Sequence, residues 1–188
     1  MFARSLLLVL FLLLAGAACG DGPPPPAPPP CDEKCRDGVA LRAMRETLKL
    51  VYNLTLQGKP VGTYDLETPC PQGGKARISG TATSNAVQGA TEVKLTYVLD
   101  GCNYLNKDDD PKENYSITVS GTVEQQGTIA VQPSATTALL MKSASITFTG
   151  SIYDPPEPYE AKECPLDVFQ SGNRVAGKMC GREVAFDF

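Results

Sequence analysis

The sequence predicts an all-β fold, in which an antiparallel meander forms a barrel or a sandwich after a short N-terminal helix. Three observations support this prediction. Apolar and polar residues alternate along several segments, as in strands that bury one face. The connections between these segments are short and rich in turn-forming residues. No helical pattern separates the segments, so neighbouring strands are expected to run antiparallel.

The first 18 residues have the pattern of an export leader. Arg4 precedes an apolar run from Leu6 to Leu14, and the small residues 15–18 lead to Cys19. A membrane span needs about 20 apolar residues, so this run predicts a cleaved signal peptide. The order of these residues resembles the signal peptide of a bacterial lipoprotein, and the resemblance covers residues 1–19 only. An ordinary signal peptide, cut after one of the alanines, is the alternative.

The resemblance implies that Cys19 carries the lipid and anchors the mature chain to the cell envelope. Stable anchoring takes more than one acyl chain, at about 0.8 kcal/mol per buried CH₂, and the family's diacylglycerol meets this requirement. In Gram-negative bacteria, an Asp directly after the lipidated cysteine favours retention at the inner membrane. Gly20 stands there in this chain. We therefore expect an exported protein, at the outer rather than the inner membrane of a Gram-negative host.

The mature chain is acidic and begins with a proline-rich linker. Without Arg4, 16 of the 17 basic residues remain against 21 acidic ones, so the formal charge is −5 and nucleic acid is not an expected partner. Residues 19–30 combine the anchor with this linker. The stretch from Pro23 to Pro30 would extend roughly 25 Å as polyproline II. It is interpreted as a spacer, with a ligand for a proline-reading domain as the alternative.

Cysteine usage predicts a disulfide-bonded domain. The seven cysteines are Cys19, Cys31, Cys35, Cys70, Cys102, Cys164 and Cys180. Setting the lipidated residue aside leaves six, which in an exported chain predicts three disulfides with 15 possible connectivities. The chain has no His and no C-x₂-C pair, so no metal site is expected.

Hairpin spacing favours one connectivity among these. Cys164 and Cys180 lie opposite each other if 171–173 form the turn, although the apolar faces of the two strands do not match well in that register. Cys70 and Cys102 lie near the open ends of a second hairpin. Cys31 is then left to pair with Cys35.

The domain begins with a predicted short helix over 31–48, with Asp37 placed to cap its start. Its apolar face consists of Val39, Ala43, Met44 and Leu48. The β domain is predicted over 49–188, with turns at 125–127, 132–134 and 171–173. The alternating apolar positions are Leu48, Leu50, Tyr52, Leu54 and Leu56; Val93, Leu95, Tyr97 and Leu99; Tyr115, Ile117, Val119 and Val123; and Ile146, Phe148 and Ile152.

Four predicted strands carry a glycine on their apolar face. These residues are Gly80, Gly121, Gly150 and Gly177. Glycine within a strand weakens it and packs nothing, so the recurrence needs a cause. The glycines allow sharp bends, make room for large side chains from facing strands, or line an apolar cavity that holds a ligand.

Little catalytic chemistry is available to this composition. Without His, the usual Ser-His-Asp and Cys-His arrangements are excluded, and no phosphate- or dinucleotide-binding motif is present, so no cofactor is expected. Paired carboxylates, as in glycosidases, remain. The candidates are Asp154, Glu157, Glu160 and Glu163 in a proline-rich loop, and Asp65 and Glu67 near Cys70. Residues 108–110 are three consecutive Asp, interpreted as a hairpin tip rather than a calcium loop.

These observations predict a membrane-anchored envelope lipoprotein whose β domain is a non-catalytic binding or structural module. Its expected partner is another envelope component. One alternative is a carrier of a small apolar ligand in a barrel cavity. A carboxylate-dependent glycan hydrolase is the other alternative.

Overall fold

The computed structural model describes residues 32–188, except 86, 88 and 132–134. In this part of the chain, one α-helix precedes a single eight-stranded antiparallel sheet whose strands follow sequence order. The helix is α1 (Glu33–Thr55), and the strands are β1 (Gly62–Pro69), β2 (Lys75–Asn85), β3 (Ala90–Asn106), β4 (Tyr115–Ala130), β5 (Ala138–Ile152), β6 (Glu157–Ser171), β7 (Arg174–Met179) and β8 (Arg182–Asp187). The predicted all-β meander with an N-terminal helix is confirmed. Within the described residues β1 and β8 do not pair, so the sheet stays open.

Period-two alternation correctly predicts the inner face of the long central strands. The alternating residues of β3, β4 and β5 are buried, with at most 4% of each residue exposed. They are Val93, Leu95, Tyr97 and Leu99; Tyr115, Ile117, Val119 and Val123; and Ile146, Phe148 and Ile152. Each strand therefore turns one apolar face toward a common core.

The prediction that a strand begins at residue 49 is wrong, because α1 continues to Thr55. Leu48, Val51 and Thr55 are buried at helical spacing, whereas Leu54 is 51% exposed. A period of 3.6 therefore describes this segment, and the alternation of its leucines is coincidental. The predicted cap is also wrong: the side chain of Asp32 accepts the N-terminal hydrogen bond, while Asp37 lies inside the helix.

The sheet wraps around α1. The helix contacts β1 to β5 and also β8, so it lies against both outer strands of the sheet. Its fully buried apolar side chains, Ala40, Leu41, Ala43, Met44 and Val51, join the core formed by the inner face of the sheet. α1 thus fills the interior that an empty barrel would leave open.

The recurring glycines lie where neighbouring strands approach closely. Gly150 has φ +150°, and a Cβ there would overlap the carbonyl oxygen of Ser116 on β4. Equivalent overlaps with Lys94, Ser145 and Asp167 would occur at Gly80, Gly121 and Gly177. These positions therefore support the bending of the strands, the first of the three causes considered.

Gly127 is a fifth glycine of this kind. It was predicted to belong to a turn at 125–127, but it pairs with Val93 and Leu139 inside β4. A Cβ on Gly127 would overlap the carbonyl oxygen of Ala138. The turn prediction at 125–127 is therefore wrong. The turn predicted at 132–134 lies outside the described residues.

Two disulfides lie wholly within the described residues, Cys70–Cys102 and Cys164–Cys180, with Cα separations of 5.4 and 4.3 Å. Both are the pairs that hairpin spacing favours. The β6–β7 register differs by one residue from the predicted one, because Ser171 pairs with Arg174. This shift brings the apolar faces of the two strands together.

Candidate functional site

A cavity of about 270 Å³ lies between the C-terminal half of α1 and the inner face of the sheet, and we call it the α1 cavity. Its walls are formed by Arg45, Leu48, Lys49, Tyr52 and Asn53 of the helix and by Tyr97, Gln125, Ile129, Ala130, Thr137, Leu139, Met141 and Gln170 of the sheet and its hairpin. At about 30 Å³ for each water-sized group, this volume holds about nine non-hydrogen atoms. The cavity is therefore the size of a small organic molecule.

The helical wall of the cavity is a single stripe of α1. Arg45, Leu48 and Tyr52 are separated by three and four residues, so their side chains lie on one face of the helix. Leu48 is 1% exposed and packs into the core, whereas Lys49 and Asn53 at the edge of the stripe are exposed. The stripe thus combines an apolar interior with a polar rim.

A buried hydrogen bond links β3 and β4 in the sheet wall. The hydroxyl of Tyr97 donates to Oε1 of Gln125 at 2.9 Å, and the two residues are 1% and 6% exposed. Burial raises the pKa of Tyr97 far above its ordinary value, with Tyr52 adding to the effect. The phenol is therefore a neutral donor, and its hydrogen bond directs the Nε2 group of Gln125 away from the tyrosine.

A second buried amide, that of Gln170, lies in the same wall. Gln170 is 5% exposed, and its Nε2 donates to the carbonyl oxygen of Gly172 at 2.7 Å. Its Oε1 accepts no hydrogen bond from any described residue. Leu139 of β5 pairs with Gln170, and Met141 of β5 pairs with Gln125. The two amides therefore stand on either side of an apolar strip.

The cations at the rim already have partners. Nη1 of Arg45 lies 3.1 Å from one carboxylate oxygen of Glu46, and Nζ of Lys49 lies 3.5 Å from the other. The guanidinium of Arg45 also lies over the ring of Phe188, 5.4 Å from its centroid. The rim is thus a small charge network rather than a free cationic site.

A second cavity of about 440 Å³ adjoins the α1 cavity. The second cavity is bounded by the end of α1, the segment 56–61 and the adjoining strand ends. Tyr52 and Ile129 belong to the walls of both. Burial, and to a lesser extent Tyr64, raises the pKa of Tyr52. Asn53 and Ala130 also belong to both walls, so the two cavities adjoin along the end of α1 and the end of β4.

At the opposite end of the domain, a buried charge is fully paired. The side chain of Asp37 is 3% exposed and receives two hydrogen bonds from Arg182, at 2.6 and 2.8 Å. Asp37 raises the pKa of Arg182 above its ordinary value. This pair joins α1 to β8 and has the geometry of a structural contact.

The acidic residues considered for hydrolysis do not form such a site. Glu157, Glu160 and Glu163 are exposed, and Glu160 forms an ion pair with Lys162 at 2.7 Å. Asp154 and Glu67 are also exposed. A bidentate hydrogen bond from Arg77 lowers the pKa of Asp65, the opposite of what a general acid needs.

The aspartates at 108–110 organise the β3–β4 connection. Asp108 accepts a hydrogen bond from the backbone of Asp110, and Asp110 accepts one from the backbone of Lys112 at the short 3₁₀ helix Pro111–Glu113. This geometry fits the hairpin tip. Across the described part of the chain, no group of three or more His, Cys, Asp or Glu residues could hold a metal ion.

The other predicted site residues lie apart from the α1 cavity. Cys19 and Cys31 fall outside the described residues, and Cys35 is disulfide-bonded. The glycines proposed as cavity-lining are absent from the walls of the α1 cavity: Gly80, Gly121, Gly150 and Gly177. The α1 cavity and its buried amides are therefore not among the predicted site residues. One feature of the sequence could have indicated the buried amides: Gln125 and Gln170 each occupy a position where the period-two pattern of their strand places apolar residues.

No family model, curated protein or solved structure matches this chain. Among the described residues, no helix combines the length and apolar character needed to cross a membrane.

Proposed function

We propose that this protein is an envelope lipoprotein, anchored through Cys19, whose β domain binds a small and mostly apolar molecule in the α1 cavity without catalysis. The observation that carries the binding part is the cavity itself. Its apolar surface comes from Leu48, Leu139 and Met141, while buried amides supply a few polar groups. Ligand sites in proteins typically combine apolar walls with a small number of placed polar groups.

The chemistry of the walls supports a binding role rather than catalysis. The described residues that line the α1 cavity include no carboxylate, cysteine or histidine, and the carboxylate of Glu46 at the rim is paired with Arg45 and Lys49. Tyr97, an ionisable residue buried there, has its pKa raised by burial and remains protonated at neutral pH. The described walls therefore lack the imidazole, carboxylate and thiol groups that most often serve as general bases or nucleophiles.

The anchor is tested by the intact mass of the protein expressed in its own host. We expect a mature chain that begins at Cys19, carries two or three acyl chains and stays in the membrane fraction. Cys19→Ala should release the protein into the soluble exported fraction. An unmodified wild-type chain in that soluble fraction would overturn the anchor and leave the binding proposal to its own test.

Ligand binding is tested by native mass spectrometry after incubation with an organic extract of the host envelope. Ile129→Trp should fill the cavity from β4, whereas Gln126→Trp places the same ring on the exposed face of that strand. We expect a small-molecule adduct on wild type and on Gln126→Trp, but not on Ile129→Trp. Equal adducts on all three chains, or none on wild type, would contradict the proposal.

A further inference from the structure

We infer that the α1 cavity recognises an electrically neutral molecule of about nine non-hydrogen atoms that carries a carbonyl or hydroxyl group on an apolar body. This inference rests on the proposed function and specifies its ligand class. The group that selects this class is the amide of Gln125, assisted by that of Gln170. Both are more than nine-tenths buried in the cavity wall.

Gln125 offers donors that the protein does not use. Its Oε1 accepts the hydrogen bond from Tyr97. No described residue accepts a hydrogen bond from its Nε2, so two N–H donors remain. This nitrogen is not among the fully enclosed unpaired atoms, so water can reach it when no ligand is bound. An acceptor on the ligand, such as a carbonyl oxygen, would complete this set.

Gln170 also pairs only one end of its amide within the protein, but the opposite end from Gln125. Its Nε2 is used by the carbonyl oxygen of Gly172, and its Oε1 is left to accept a hydrogen bond. A hydroxyl on the ligand would meet this acceptor. Leu139 and Met141 lie between the two amides and would contact the apolar body.

The charges around the cavity favour a neutral ligand over an anion. Arg45 and Lys49 share the carboxylate of Glu46. An anionic headgroup would have to compete with Glu46 for both cations. It would also bury its charge beside amides that carry none, which is unfavourable in a mostly apolar cavity.

Three probes of nearly equal shape test the ligand class: acetophenone, ethylbenzene and benzoate. Binding would be measured by NMR titration of the full-length chain carrying Cys19→Ala, at low and high salt. We expect acetophenone to bind about tenfold more tightly than ethylbenzene, the order of one hydrogen bond, and independently of salt. Benzoate should bind more weakly than acetophenone.

Paired variants assign the effect to the amides. Tyr97→Phe combined with Gln125→Met removes both partners of the buried hydrogen bond, so neither is left unpaired. This variant should lose the preference for acetophenone, about tenfold, and keep the affinity for ethylbenzene. Gln126→Met, on the exposed face of β4, should change nothing.

The remaining outcomes overturn different statements. Equal affinities for acetophenone and ethylbenzene would overturn recognition by the amides and leave an apolar binding site. Tighter, salt-sensitive binding of benzoate would overturn the neutral class and assign recognition to Arg45 and Lys49. If no probe binds at millimolar concentration, the proposed ligand-binding function itself fails.

Discussion

The two halves of α1 lie beside buried polar groups that differ in how completely they are hydrogen-bonded. Near its N-terminus, the carboxylate of Asp37 is enclosed and receives two hydrogen bonds from Arg182. Near its C-terminus, the helix leaves a cavity whose wall contains the amides of Gln125 and Gln170. Each of these amides uses one polar atom within the protein, while the other has no partner among the described residues.

This difference separates a structural contact from a recognition site. A paired buried charge holds two elements in register, and its removal changes stability. A half-paired amide beside a cavity contributes less to stability, because water can occupy the cavity when no ligand is bound. Substitutions at the N-terminal half should therefore affect folding, and those at the C-terminal half should affect binding.

The largest expected effect is that of Arg182→Met. The variant leaves Asp37 buried without its cation. Breaking a buried pair costs about 3–5 kcal/mol, and we expect about 3 kcal/mol in free energy of unfolding because 43% of the Arg182 side chain is exposed. The affinity of the α1 cavity for acetophenone should not change while the domain stays folded. Urea denaturation monitored by circular dichroism measures the loss of stability.

Lys178→Met is the matched control for this variant. Lys178 pairs with Glu183 across β7 and β8, and the two side chains are 67% and 76% exposed. Exposed pairs of this kind contribute roughly 0–1 kcal/mol. Equal losses in Arg182→Met and Lys178→Met would show that burial of Asp37 confers no special role.

The sequence predicted the sheet well because its evidence is local. Alternation along Tyr115–Val123 and its neighbours directly records which face of each strand is buried. The prediction from alternation was wrong for 49–55 because the leucines there also alternate. Only the packed structure shows that Val51 and Thr55 share the buried face of a helix. Period two and period 3.6 both fit so short an apolar segment.

The cavity could not be predicted for a different reason. It depends on how far the sheet curves away from α1, and that distance comes from the packing of many strands. The glycines suggest strand bending only as one of three causes, and the spacing of Gly121 and Gly150 in the sequence does not tell where space remains. Gln125 was assigned to a turn because Gly127 follows it, and this assignment hid its position on the inner face.

Tyr159 of β6 provides the second test because, unlike Asp37, it buries a polar group that is not hydrogen-bonded. It is 5% exposed, and its hydroxyl has no hydrogen-bond partner among the described residues. Tyr159→Phe removes this hydroxyl, so we expect the free energy of unfolding at neutral pH to rise by about 0.5–1 kcal/mol. Guanidinium denaturation of both proteins gives the difference.

The pH dependence of the same variant gives a second readout. Burial, with Asp37 adding to it, raises the pKa of Tyr159 from 10.0 to about 12. The folded state thus favours the neutral phenol. The resulting contribution to the free energy of unfolding is fully present below pH 10 and is lost as the pH rises toward 12. Between pH 7 and 11, wild type should lose about 1.4 kcal/mol more than the variant. Parallel pH profiles would show that Tyr159 titrates normally.

The smallest expected effect on stability is that of Gln170→Met in the cavity wall. The variant loses the hydrogen bond to Gly172, worth about 1 kcal/mol, and offsets that loss by replacing a half-paired amide with an apolar side chain. The free energy of unfolding should change by less than about 0.5 kcal/mol, which urea denaturation can resolve. Affinity for a hydroxyl-bearing probe such as phenylethanol should fall, because Oε1 of Gln170 is its proposed acceptor. If stability instead falls as it does in Arg182→Met, the cavity wall is held together like the N-terminal half, and the contrast between the two halves fails.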